Sequence, residues 1–452
     1  METLEQLLGN LSNIVWGPPM LILLVGTHIF LTLRLRGIQR YIGRGIRLSI
    51  TRTAEGQGDI SHFGALATAL AATIGTGNIV GVATAVASGG PGAVFWVWIT
   101  GVFGIATKYA EALLAVKYRV VTPAGTMAGG PMYVLERGLK ARWLGILFAL
   151  FTSIAAFGIG VTVQANSVAS MVYETFKIPT WITGLALTVL TALVILGGIK
   201  SIARACEKLV PFMAFFYVLG CLIILIMNAQ AIPGAIALIL KSAFTGHAAA
   251  GGFAGATVMM TIRYGVARGL FSNESGLGSA PIVAAAAQTT NPVRQALVSM
   301  TGTFWDTVIV CAMTGLVLVT TGAWQSGLQG AAMSKTAFAM VPIIGPITLT
   351  VGLLTFVYST ILGWSYYGEK AVEYLLGYRA VLPYRVLWVI ACFVGSVVSL
   401  PLVWSFADIA NGLMAIPNLI ALIGLSGVLV SETRKYLWEG SLEASLEQTL
   451  SR

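Results

Sequence analysis

The sequence predicts an all-α protein embedded in a membrane, and two observations carry that prediction. Of the 452 residues, 57% are hydrophobic and only 10% are charged. With a mean hydropathy of +0.85, that leaves too little polar surface to clothe a water-soluble globule. The apolar residues also gather in runs long enough to cross about 30 Å of hydrocarbon as helices, which takes about 20 residues each.

About eleven such transmembrane segments are expected, at 14–33, 62–88, 92–116, 143–172, 180–198, 209–228, 255–290, 295–320, 345–366, 384–401 and 403–430. The stretches GAIALILKSAF and AAMSKTAFAM are too short or too polar to span, and fit amphipathic helices lying on one surface. The first apolar run follows Glu2 and Glu5 without a basic start, so no cleavable signal peptide is expected.

Loop charge orients the chain. With the amino terminus outside, the loop from Arg34 to Asp59 is cytoplasmic and carries six arginines. Alternation onward puts 21 of the 27 Lys and Arg inside and leaves Lys177, Lys241 and Lys335 outside, with Lys108, Arg263 and Arg268 in or near segments. The net charge of +10 is thus a topology signal for a multi-pass cell-membrane protein with a cytoplasmic carboxyl terminus. It does not imply a nucleic-acid partner. Cys206, Cys221, Cys311 and Cys392 stand singly, with neither disulfide nor metal spacing. His28, His62 and His247 form no metal-ligand pattern, so no cofactor and no intramembrane enzyme is expected.

The second segment contains TIGTGNIVG, Thr73 to Gly81, three glycines and an asparagine where a spanning helix needs regular backbone. In hydrocarbon, an unpaired amide or carbonyl costs several kcal/mol, so non-helical backbone persists only where it lines a protein-walled site. Close helix contact through small residues is the alternative. Five segments later comes RGLFSNESGLGSAP, Arg268 to Pro281, again polar and glycine-rich within an apolar span. Because five is odd, the second set of five starts on the opposite side, and paired breaks at corresponding positions of inverted halves point to a transporter's midplane site. A channel needs no such halves.

A broken helix offers N–H groups and a positive dipole end to a carboxylate, and freed carbonyls to a cation such as Na⁺. Gly75 and Gly77 leave the backbone bare enough for a ligand to touch, and Asn78 carries both a carbonyl oxygen and an amide. Asn273 stands in the second break. Gln164 and Asn166 are amides within an apolar segment, where they either join helices or face a cavity. Phe157 and Trp364 are candidate aromatic walls.

Four acids fall near membrane segments. Glu111 follows Lys108 by three residues and suggests a local ion pair. Glu274 lies in the second break with Arg263 and Arg268 close in sequence, so it could be a paired charge that holds the break open, a gate, or linked to the ion. Asp408 sits near an outer end. Asp306 has no neighbouring base, so it is either a gate or linked to the ion, or a protonated or hydrogen-bonded carboxyl at a helix contact.

The stretches TIGTGNIVGVATAVASGGPGAVFWVW, AGGPMYVLERGL and ARGLFSNESGLGSAPI resemble signature segments of the alanine or glycine:cation symporters, in the amino acid-polyamine-cation superfamily. Similarity runs along nearly the whole chain, with Ser275 standing where that pattern has alanine. The resemblance implies uptake of alanine or glycine driven by Na⁺. It also implies the 5+5 inverted-repeat fold of the bacterial leucine transporter, with discontinuous first and sixth core helices and one extra N-terminal helix. Residues 1–59 would hold that helix and the basic loop, 60–228 the first repeat, 229–254 an extracellular connector, 255–430 the second repeat and 431–452 a cytoplasmic tail. On that fold the amides of Thr76 and Gly77 would receive the substrate carboxylate. The carbonyls of Ala71 and Ile74, with Ser359 and Thr360, would bind Na⁺, and a second cation position would lie near the Thr73 carbonyl, Asn78 and the second break. A proton-coupled amino acid transporter is the nearer alternative.

Overall fold

The computed structural model describes residues 2–51, 56–245, 257–289 and 291–439, and these are helical almost throughout. Arg52, His247, Arg452, residues 246–256 at the end of the connector and start of the seventh segment, and the tail beyond 439 lie outside the described residues.

Helix α1 (Glu2–Val15) turns at Trp16 and Gly17 into α2 (Pro18–Arg34), whose two leading prolines suit a first helical turn. Helix α3 (Ile42–Ile50) follows, and then the first broken segment as α4 (His62–Thr73) and α5 (Gly77–Gly89), bent by 51° at the break. The chain continues through α6 (Ala93–Lys117), a hairpin of β1 (Val120–Val121) and β2 (Met127–Ala128), α7 (Arg142–Phe176), α8 (Thr180–Ile195), α9 (Gly198–Met227) and α10 (Ile232–Thr245). The second broken segment is α11 (Val258–Asn273) and the short α12 (Pro281–Ala284). Next come α13 (Pro292–Thr320), α14 (Gly330–Ala339), α15 (Ile344–Leu376), α16 (Val381–Val397) and α17 (Pro401–Gly424).

Helix starts follow local chemistry. Ser61 Oγ accepts the Gly64 N–H at 2.8 Å ahead of α4, Thr257 does the same for Met260 ahead of α11, and Asn291 Oδ1 accepts the Val293 N–H at 2.9 Å before α13, with Pro292 in its first turn.

Among the described residues, nine helices or bent pairs are long and apolar enough to span a bilayer. The two expected segments that fall short do so for visible reasons. Helix α8 has 16 residues, and the seventh segment stops being helical at Asn273 after 16 residues. Two expected segments are longer than their apolar stretch: α9 starts at Gly198 and α15 runs on to Leu376, because charged residues at a span's end continue the helix without breaking it. Both short amphipathic stretches are helical, but α14 does more than lie on a surface. It buries Met333, Ala337 and Phe338 and sends Ser334 Oγ toward the Ile79 carbonyl at 3.4 Å.

Burial sorts the helices. Of its apolar window, α6 has 83% buried and α9 only 39%, because a lipid-facing surface is as apolar as a protein interior. Helix α6 is central, against α11 and α13, while α15 lies against α4, α7 and α9. A Cβ added at Gly363 of α15 would sit 2.7 Å from the backbone nitrogen of Ala72, so α15 meets α4 backbone to backbone beside the first break.

Candidate functional site

At the first break α4 ends at Thr73 and Ile74 turns to extended backbone with ψ 94°. The chain re-enters helix with a wide i→i+5 turn over Gly77–Gly81, a feature common at functional positions. Asn78 Oδ1 accepts the Gly75 N–H at 2.8 Å, so the break satisfies one of its own freed amides. Thr76 and Gly77 open the second half-helix, where first-turn N–H groups have no acceptor within the helix.

Four oxygens converge on the other side of this break. Ser359 Oγ lies 3.1 Å from the Ala71 carbonyl and Thr360 Oγ1 lies 3.5 Å from that of Ile74. Both hydroxyls also bond back to Phe356 O in the preceding turn, at 2.8 and 2.9 Å. The back-bonding fixes the rotamers, and the pairs of carbonyl and hydroxyl oxygens face each other across the helix contact.

The second break has Glu274, Gly276 and Gly278 at φ 54°, 89° and 85°, a left-handed stretch that glycine adopts without strain. Its freed amides go to Glu111, whose Oε1 accepts Gly276 N–H at 3.0 Å, Gly278 N–H at 3.1 Å and Asn418 Nδ2 at 2.7 Å. The expected Lys108–Glu111 ion pair is therefore corrected: Glu111 caps the break, and no ion pair between the two is found among the described residues. Glu274 does not pair with Arg263 or Arg268 either. It accepts Trp364 Nε1 at 3.1 Å and the Ser279 hydroxyl, the first from α15 and the second from the break itself.

Between the breaks lies a cavity of about 20 Å³ lined by Ala72, Thr73, Gly75, Thr76, Gly77, Ile159, Gln164, Phe271, Glu274, Thr360, Trp364 and Asn411, enough space for about one water. Of the expected residues it brings together Thr73, Gly75, Thr76, Gly77, Gln164, Glu274, Thr360 and Trp364. Gln164 Nε2 donates to Ile159 O at 3.1 Å across a second i→i+5 turn, and its buried Oε1 has no partner. The Asn411 Oδ1 is equally unpartnered. These are the polar atoms an incoming ligand would meet.

Other expected residues lie elsewhere. Asn78 is turned away from the cavity: its Nδ2 donates to Asp306 Oδ1 at 2.7 Å, to Asp306 O and toward Cys311 Sγ. Asp306, in a third i→i+5 turn, also accepts Ser272 Oγ at 3.1 Å and Thr307 Oγ1 at 2.6 Å. That is the hydrogen-bonded alternative for this acid. Phe157 packs edge-on against Tyr384 and at a tilt against Trp388, and borders an apolar depression with Leu4 and Leu8. Asn166 joins helices through Gly395 O, and Asp408 accepts Ser12 Oγ of α1 at 2.6 Å. Asn273 Oδ1 caps Ser275 N–H at 2.9 Å, and the residue lines a neighbouring cavity with Lys108.

Sequence reasoning missed Ile159, Phe271, Asn411, the capping role of Glu111, and Arg119. Asn411 is an amide inside an apolar run, the same signal that singled out Gln164. Arg119 gives no such signal. Its guanidinium donates to the carbonyls of Gln57 and Ala287 at 2.7 Å, Thr289 at 2.9 Å and Ala285 at 3.1 Å, tying the loop before α4 to the chain after α12.

A bundle with two broken helices enclosing unpartnered polar atoms is the architecture of a membrane transporter, and solved structures share the fold. MhsT, solved in complex with L-phenylalanine, is 13% identical with a TM-score of 0.56, over 83% of this chain and 98% of that one. A mutant of the Eremococcus coleocola manganese transporter is 15% identical with a TM-score of 0.50, over 89% and 94%. The sequence is more specific: the model of the sodium:alanine symporter family matches residues 1–449, and the chain belongs to that family. An uncharacterized transporter of Haemophilus influenzae is 56% identical over 96% of each chain. The sodium/alanine symporter AgcS of Methanococcus maripaludis is 54% identical over 95% of this chain and 96% of its own. YrbD of Bacillus subtilis, whose name proposes a sodium/proton-dependent alanine carrier, is 35% identical over 92% and 89%.

Proposed function

We propose that the protein carries alanine, glycine or both into the cell together with Na⁺ by alternating access. The amides of Thr76 and Gly77 take the substrate carboxylate at the positive end of α5, and Gln164, Trp364, Ile159 and Phe271 bound the small side chain. The carbonyls of Ala71 and Ile74 with Ser359 Oγ and Thr360 Oγ1 form the Na⁺ site, so ion and substrate share the short backbone from Ala71 to Gly77.

The observation that carries this reading is the approach of the Ser359 and Thr360 hydroxyls to the Ala71 and Ile74 carbonyls at 3.1 and 3.5 Å beside that cavity. Na⁺ is a hard cation that takes several oxygens at once, and each of these can turn a lone pair toward it. The relative named a sodium/alanine symporter supports the same choice of ion and substrate. In this reading 60–228 and 255–430 are inverted repeats within about eleven spans, α1 and α2 form the extra leading span, and the amino terminus faces outward.

Proton coupling is the second reading, favoured by the full burial of Glu274 and Asp306 near the cavity. Uptake of labelled alanine into proteoliposomes, with an inward Na⁺ gradient or with a pH gradient in Na⁺-free buffer, separates the two. Accumulation only with Na⁺ supports the proposal, and full accumulation on the pH gradient alone rejects it.

A further inference from the structure

Lys108 is 5% exposed, lies on the central helix α6, and its Nζ has no hydrogen-bond partner. It reaches a second cavity of about 20 Å³, lined among others by Thr73, Asn273, Ser299 and Gly302. Thr73 lines both cavities, so this one adjoins the substrate cavity. The Asn273 amide Nδ2 is likewise buried without a partner, while its Oδ1 is committed to Ser275 N–H. The unpartnered side-chain groups at this cavity are thus hydrogen-bond donors.

Charge sharpens the point. Glu111, Glu274 and Asp306 are buried near the two breaks, and no ion pair of Lys108 with any of them is found among the described residues. Each carboxylate is held by its own donors, Glu111 by the second break, Glu274 by Trp364 and Ser279, Asp306 by Asn78 and Ser272. The region between the two breaks is where oxygens of Thr73, Asn78 and the second break would otherwise gather around a second Na⁺. Asn78 has turned to Asp306, Asn273 offers its N–H groups, and a lysine ammonium already lies there. Like charges a few ångströms apart in a poorly solvated interior exclude one another.

We propose that Lys108 is the protein's own second cation: its ammonium holds the position between the two breaks that a second Na⁺ would fill, so one Na⁺ moves per substrate. This rests on the Na⁺ symport reading above and adds a stoichiometry to it.

The test is the limiting accumulation of labelled alanine in proteoliposomes at zero membrane potential. Under about a ten-fold inward Na⁺ gradient, one ion per substrate limits accumulation to about ten-fold and two ions allow about a hundred-fold. A limit near ten-fold is expected. A limit near a hundred-fold leaves the symport reading standing and overturns the role of Lys108. Accumulation indifferent to Na⁺ removes the symport reading and this inference with it. Lys108→Gln supplies a measurement that needs no transport: the rise of its melting temperature with log Na⁺ in detergent is expected to be about twice as steep as in the unmodified protein, because ions bound only by the folded form stabilise it by mass action. An unchanged slope overturns the proposal.

Discussion

Asn78 Nδ2 donates to Asp306 Oδ1 at 2.7 Å across 228 residues of sequence, joining the first break to α13. Ser272 Oγ, one residue before the end of α11, reaches Asp306 Oδ2 at 3.1 Å, so one carboxylate gathers both broken segments. The Asn78 carbonyl meanwhile closes on the Gly75 amide. Asp306 thus acts on the site through Asn78 and lies outside the cavity itself.

Asp306→Asn replaces an acceptor oxygen with an NH₂ that faces donors. A buried polar group left unsatisfied costs about 1–3 kcal/mol, so maximal uptake and thermal stability are both expected to fall. The Na⁺ concentration for half-maximal uptake is expected to move by less than about two-fold, because Asp306 does not touch the proposed ion site and a two-fold shift corresponds to only about 0.4 kcal/mol there. Loss of Na⁺ dependence in this variant would make Asp306 part of the coupling machinery.

Removing both hydroxyls of the proposed ion site, Ser359→Ala with Thr360→Ala, leaves the Ala71 and Ile74 carbonyls without their partners across the helix contact. Bonds to a charged group are worth about 1.5–3 kcal/mol each, so half-saturation by Na⁺ should rise about ten-fold or more. Alanine binding at saturating Na⁺ should change little. Na⁺ titrations of uptake check this, and an unmoved midpoint would place the ion elsewhere.

Gly75→Ala probes the same site from the backbone. The new Cβ would lie 2.6 Å from Thr360 Oγ1, too close for real atoms, so the hydroxyl must rotate or α15 must shift away from α4. The expected result is a weakened Na⁺ dependence in the same direction as the double variant. Gly81→Ala, whose nearest neighbour would be 4.0 Å away, serves as the tolerant control.

What the sequence made legible was the placement of the breaks. Unusual glycine and polar content inside apolar runs marks them because hydrocarbon penalises free backbone, and both interruptions stand where they were expected. Gln164 and Trp364 were legible as a polar and an aromatic outlier in such runs. The partners of each group were not. Asn78 carries an acceptor and a donor and so suits a ligand, a cation or a neighbouring carboxylate equally, and only the packing of α13 beside it selects Asp306. Glu111 stands one helical turn from Lys108, yet the bare amides of Gly276 and Gly278 lie within reach and claim it. Phe271 carries a local signal no different from that of many packing residues, whereas Asn411, an amide in an apolar run, carried the same signal as Gln164 and was passed over.

The cap on the second break gives a structural prediction. Glu111→Gln keeps one acceptor oxygen but removes the charge that three donors share, and charge-assisted bonds are roughly twice as strong as neutral ones. The melting temperature in detergent should fall and uptake should slow, with the Na⁺ midpoint unmoved. Glu111→Ala, which leaves Gly276, Gly278 and Asn418 without the acceptor, should be markedly worse. Equal behaviour of the two variants would mean that Glu111 contributes no capping.

Trp364 is the wall whose trimming should change what the protein carries. Its side chain is 1% exposed, lines the cavity together with Gly77 and Gln164, and its Nε1 donates to Glu274 Oε1 at 3.1 Å. Two effects therefore follow from Trp364→Leu. The cavity enlarges, which should admit amino acids with one or two more methylenes than alanine, each such group being worth about 1–3 kcal/mol of discrimination in a close-fitting pocket. Glu274 also loses a donor, which should slow transport of every substrate alike. Competition of unlabelled serine, valine and leucine against labelled alanine reads the first effect, and the maximal rate reads the second. Trp364→Phe removes the N–H while keeping most of the bulk, so it should show the loss of rate with little widening of range. If Trp364→Leu slows transport but leaves the substrate range unchanged, Trp364 serves only to hold Glu274, and the side-chain wall must be sought at Ile159 and Phe271.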